Sequence, residues 1–132
     1  MMQENQAMIF RGLMGGRQAA PGYEDVPPQQ IAALSERAWL VDVRETSELT
    51  DGLGHIAGVR HVPLGQVAAA FADVDRGQPI VVICRSGGRS GSAARQLVAM
   101  GFEKVYNVEG GMMGYNWAGL PVSHDPTLRD VR

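Results

Sequence analysis

One cysteine occurs in 132 residues, Cys84, and it is followed by Arg85-Ser86-Gly87-Gly88-Arg89-Ser90. Two glycines let the backbone curl until successive N–H groups point inward, forming a nest for an anion. A helix beginning directly after the loop adds its positive end, and Arg85 and Arg89 add formal charge. Each of these favours thiolate over thiol. A free cysteine ionises near pH 8.5, and such surroundings bring that to roughly 3.5–7.5. A thiolate attacks sulfur or phosphorus at neutral pH without a dedicated base. The same nest holds a substrate oxyanion or a terminal persulfide sulfur. The competing reading is a small buried thiol closing a strand, the usual fate of a free cysteine. A structural position does not require an Arg-Ser-Gly-Gly-Arg run, so Cys84 is read as a nucleophile.

The solitary thiol has further consequences. It excludes a disulfide framework within the chain and a cysteine-based zinc cluster, and it suits a reducing compartment, which reads as cytoplasmic. No second cysteine can resolve an intermediate on the first, so whatever Cys84 acquires must leave to another molecule.

The elements that must position this loop are legible in the apolar pattern. Residues 79–84 are apolar on both parities, as a central parallel strand covered on both faces requires. Residues 89–100 read as a helix with Ala93, Ala94, Leu97 and Val98 inward, ended by Gly101. The loop therefore joins the carboxyl end of a central strand to a helix N-terminus, the edge where open α/β sheets bind ligands. Strands are also expected at 23–26, 39–43, 59–62 and 104–108. Helical segments are expected from Pro27-Pro28 onward and at 45–49, 64–72 and 112–118. Strands alternating with helices at short spacing argue for a central, mostly parallel sheet flanked by helices on both faces.

Bulk properties are those of one ordinary globular domain: 45% hydrophobic, 20% charged, net charge −2. Nothing in that balance points to nucleic acid or an anionic membrane, and no stretch approaches the roughly 20 apolar residues of a membrane span. Residues 1–22 do not read as a signal peptide and are expected to be a flexible extension. The folded unit is expected over 23–122, with a tail at 123–132.

At this point the sequence resembles the rhodanese family of sulfurtransferases. The active-site loop pattern is matched by Cys84-Arg85-Ser86-Gly87-Gly88-Arg89-Ser90. Leu40-Val41-Asp42-Val43-Arg44 is similar to the upstream signature. Gly54-His55-Ile56-Ala57-Gly58 with Val62-Pro63-Leu64, and Gly110-Gly111-Met112 with Ala118-Gly119-Leu120-Pro121-Val122, resemble the remaining elements. Tyr115 stands where members often carry a tryptophan, and Trp117 lies two residues on. The resemblance implies a rhodanese-like three-layer fold and transfer of sulfane sulfur from thiosulfate or a similar small anionic donor to a thiol or cyanide acceptor, with a protein thiol among the candidates, by way of a Cys84 persulfide. Arg85, Ser86, Gly87, Gly88, Arg89 and Ser90 would bind the substrate. By the same analogy Asp42 and Arg44 brace the site. Glu48 is expected to pair with Arg44, and His55 is read as structural rather than as a base. No cofactor is implied, and the three histidines lack ligand-like spacing, so no metal is expected. Met112 and Met113 suit either a pocket wall or the core.

Two rival functions belong to other classes. A cysteine-dependent phosphatase uses similar loop logic, but with Cys-x5-Arg. Here that position is Ser90 and the arginine comes one residue earlier, giving a smaller loop suited to a sulfur atom. Related phosphatases share the rhodanese fold, so fold alone does not separate the two. Binding modules of this type often lack the cysteine, which is present here; a mixed case stays open, in which the domain delivers persulfide sulfur to a protein partner through the N-terminal arm.

Overall fold

The computed structural model describes residues 22–126. The expected extension, apart from Gly22, and the end of the expected tail lie outside the described residues.

Five strands form one sheet in the order β1-β5-β4-β2-β3: β1 Glu24–Val26, β2 Trp39–Asp42, β3 Arg60–His61, β4 Ile80–Ile83 and β5 Val105–Val108. Every adjacent pair is parallel. The longer helices are α3 Gly88–Ala99 and α4 Gly111–Trp117; α1 Ile31–Leu34 and α2 Val67–Ala70 are single turns. β4 is central, with β2 on one side and β5 on the other, and all four of its residues are buried.

The alternation along β4 divides the core. Ile80, Val82 and Cys84 enter one apolar layer with Phe71 and Leu97. Val81 and Ile83 enter the other with Ile31 and Met112. A strand with both faces covered must be apolar at every position, and this is why β4 carries no alternation. Phe71, Leu97, Ile80 and Ile83 are fully buried, each removal from water contributing about 1.5–3 kcal/mol.

Two expected helices form only in part. Residues 64–72 split into a 3-10 turn, Leu64–Gln66, and α2, because Gly65 weakens the helix where an uninterrupted run would need it strong. Residues 45–49 supply a single 3-10 turn, Thr46–Glu48, held by a reciprocal capping box between Glu45 and Glu48. At the far end, Ser123 and His55 exchange backbone hydrogen bonds of 2.7 and 2.9 Å. The packed structure thus continues into the segment expected to be tail. No helix among the described residues is long and apolar enough to cross a membrane.

Candidate active site

Cys84 is the first residue beyond β4, and its side chain is 1% exposed. The chain then turns through Arg85 and Ser86 to Gly87, which caps α3 with φ +111°. Only glycine adopts that conformation without strain, and it directs the Gly87 N–H at the sulfur, 3.0 Å from Sγ. Ser90, in the first turn of α3, places Oγ 3.2 Å from Sγ. Burial pushes the Cys84 thiol up, but hydrogen bonds from the Ser90 hydroxyl and from the N–H groups of Ser90, Gly87 and Ser86 outweigh it and hold the thiol below its ordinary range.

The loop keeps its N–H groups inward because its carbonyls are engaged elsewhere. The first N–H groups of α4 are spent on them: Met112 donates to the Cys84 carbonyl at 2.8 Å and Met113 to the Arg85 carbonyl at 3.0 Å. Gly111, at φ +56°, makes that approach possible. A Cβ there would come within 2.6 Å of the Arg85 carbonyl. The Gly110-Gly111 pair is therefore a packing requirement of the loop around Cys84, not merely a turn.

Charged groups around the loop are organised as two ion pairs. Asp42 and Arg44, both wholly buried, meet at 2.9 Å. Arg44 also donates to the carbonyls of Glu48 (3.1 Å) and Gly54 (2.7 Å), tying the segment after β2 into one unit. Glu48 joins Arg89 in a bidentate pair of 2.7 and 2.8 Å. The expected Glu48–Arg44 ion pair is thus corrected. Arg44 is saturated by the nearer Asp42 and reaches Glu48 only at its backbone, which leaves the Glu48 carboxylate for the helix facing it. Arg85 is exposed and has no ion pair among the described residues.

The Arg89 guanidinium draws the Glu48 carboxyl down to about 2 from 4.5, against an opposing effect of burial. A carboxyl depressed in the folded state contributes stability above its unfolded pKa and loses it as pH falls through the folded one. The difference in unfolding free energy between wild type and Glu48→Gln is therefore expected to be constant above the 4.5 of the unfolded group and to close as pH falls toward 2. Because the pair is partly exposed, the gap is about 0.5–1 kcal/mol. Denaturant titrations of both proteins across that range check this.

A family model described as a rhodanese-like domain matches residues 27–118. The chain belongs to the rhodanese-like family of sulfurtransferases. It is 37% identical over 90 residues to the thiosulfate sulfurtransferase GlpE of Pseudomonas aeruginosa, covering 67% of this chain and 80% of that one. It is 34% identical over 124 residues to YrkF of Bacillus subtilis, covering 88% of this chain and 65% of that one. Among solved structures, a rhodanese-related protein from Thermoplasma volcanium superposes with a TM-score of 0.70 at 27% identity, covering 78% of this chain and all of that one.

Within this rhodanese-like domain the structure gathers Cys84, Gly87, Ser90 and, through Arg89, Glu48 at one sheet edge. His55 does not join them. It is 2% exposed and its Nδ1 lies 2.8 Å from the Leu49 carbonyl, so that nitrogen carries the proton and the ring serves as a strut. Met112 is core, whereas Met113 is 48% exposed. Tyr115 is buried, and its hydroxyl donates to the Pro121 carbonyl at 2.8 Å. Two residues escaped the sequence reading. His61 Nε2 donates to the Arg44 carbonyl at 2.8 Å. Asn107 is bonded to Ser90, and its only sequence signal is a buried-strand position occupied by an amide. No cluster of three or more metal-ligating side chains occurs among the described residues.

Proposed function

We propose that this domain transfers sulfane sulfur from thiosulfate, or a similar small anionic donor, to a thiol or cyanide acceptor through a persulfide on Cys84. The Cys84 thiolate attacks the outer sulfur of thiosulfate. An Sγ–S bond forms, the donor's S–S bond breaks, and sulfite leaves with the electron pair. An acceptor thiolate or cyanide then attacks the outer sulfur, and Cys84 departs as thiolate. Proton balance is kept because both nucleophiles enter as anions. Arg85, exposed and in no ion pair among the described residues, meets the anionic donor. Arg89, clamped by Glu48, fixes the start of α3 and through it Ser90.

The observation that carries this reading is the sulfur-sized cradle: a buried Sγ with an N–H at 3.0 Å and a hydroxyl at 3.2 Å. Those donors stabilise a thiolate when the site is empty, and the inward N–H groups of the loop serve an anionic terminal sulfur when it is loaded. The absence of a second cysteine in these 132 residues agrees with discharge to an external acceptor, and a lone working thiol agrees with a reducing, cytoplasmic setting. A phosphoryl group is poorly served, because the arginine that would clamp it is held on Glu48.

Steady-state assays separate the readings. Thiocyanate production from thiosulfate and cyanide, without hydrolysis of an aryl phosphate, is the expected result. Aryl phosphate hydrolysis without thiocyanate would overturn the proposal. Neither activity would leave a binding module.

A further inference from the structure

Ser90 has one hydroxyl proton and three acceptors around it: Cys84 Sγ at 3.2 Å, the Gly87 carbonyl at 3.3 Å and Asn107 Oδ1 at 2.5 Å. Ser90 is fully buried and Asn107 is 6% exposed, so water does not make good what a rotation leaves unmet. The orientation of the Asn107 amide is set from outside the site. Asn107 lies on β5, paired in register with Asp25 of the edge strand β1, and its Nδ2 donates to Asp25 Oδ1 at 3.0 Å. A carboxylate accepts and cannot donate. Nδ2 must therefore face Asp25, and Oδ1 must face Ser90.

We infer that Asn107, held by Asp25, competes with Cys84 for the Ser90 proton, so that Ser90 is a two-position donor that follows the charge on sulfur. With a neutral thiol, or with Sγ bonded to a second sulfur, Ser90 donates to Asn107 Oδ1. With a thiolate it rotates to Sγ and leaves Oδ1 unmet. Ionisation releases the thiol proton to solvent; no other bond is made or broken. The competitor limits how far the cradle favours the thiolate. That limit has chemical value, because nucleophilicity falls as thiol acidity rises and the best attacking thiol ionises near ambient pH. The function rests on the sulfur-transfer reading, whereas the competition itself does not. Asn107 and Asp25 are positioning residues, acting through Ser90.

Other charges also face Cys84 and must be kept constant in the test. These are Arg85, next to it in the chain, Arg89 on α3 with its partner Glu48, and Asp42 of the buried pair with Arg44 at the end of β2. The test is a titration of the thiolate's ultraviolet absorbance in the full chain, with Cys84→Ser as blank; the single cysteine makes the signal unambiguous. Asn107→Leu, which keeps the branching and the number of side-chain heavy atoms, removes the competitor and is expected to move the midpoint down by about one pH unit, a tenfold gain in thiolate below both midpoints. Asp25→Asn alters an exposed side chain, frees the amide to turn, and is expected to move the midpoint the same way by less. It keeps the test open should the core variant fail to fold. In a Ser90→Ala background both shifts are expected to vanish. An upward shift, no shift, or shifts that persist without the Ser90 hydroxyl would overturn the inference. Because absorbance reads ionisation without any donor, that failure is distinguishable from failure of the sulfur-transfer reading.

Discussion

Cys84→Ser is expected to abolish sulfur transfer, a loss of about a thousandfold or more in kcat/KM, while far-ultraviolet circular dichroism and the denaturation midpoint stay close to wild type. The magnitude follows from chemistry. A serine hydroxyl is not ionised at neutral pH, and no histidine or carboxylate is bonded to Sγ among the described residues that could serve as its base. The neutrality toward folding follows from geometry. The hydroxyl is slightly smaller than the thiol and meets the same two donors, the Gly87 N–H and the Ser90 hydroxyl. Activity retained at a tenth of wild type would place the nucleophile elsewhere.

Arg44→Ala is expected to be the most damaging single change to stability, about 3–5 kcal/mol, against a total of about 5–15 kcal/mol for a domain of this kind. Arg44 is the largest fully buried side chain. Its removal leaves the Asp42 carboxylate buried with only the Arg44 backbone N–H as a donor at 3.0 Å, and strips the Gly54 carbonyl of its guanidinium partner. Both effects are penalties of unmet buried groups, not the worth of the ion pair itself. Urea denaturation at neutral pH measures the loss. Arg44→Lys, which keeps the charge but not the fork that reaches both carbonyls and the carboxylate, is expected to lie between the two. A loss below about 1 kcal/mol for the alanine variant would mean that the Asp42–Arg44 unit is dispensable.

What was legible in the sequence was whatever short-range rules determine. The double-faced apolarity of 79–84 identified the central strand, and β4 lies there. The glycine pair after Cys84 announced a tight loop entering a helix. The resemblance to the family singled out Asp42 and Arg44, and the two form a buried ion pair. Pairings across long sequence separations were not legible. Glu48 meets Arg89 across 41 positions, a contact created by the packing of α3 beside the segment after β2, whereas sequence proximity favoured Arg44. Asn107 looked like one more residue in a strand, and only the β1–β5 register, which sets Asp25 beside it, reveals what its amide faces. Helical spacing of Leu64, Val67, Ala68 and Phe71 extends over 64–72, whereas the packed chain forms a 3-10 turn at 64–66 and one helical turn at 67–70, with Gly65 in the first.

The central claim is that sulfur resides covalently on Cys84 between donor and acceptor. Mass spectrometry of the intact protein after incubation with thiosulfate, beside Cys84→Ser treated identically, tests it most directly. The account predicts a gain of one sulfur atom in the wild type alone, removed by cyanide with return to the starting mass. An unchanged wild-type mass under conditions that yield thiocyanate, or an equal gain in the Cys84→Ser protein, would contradict it.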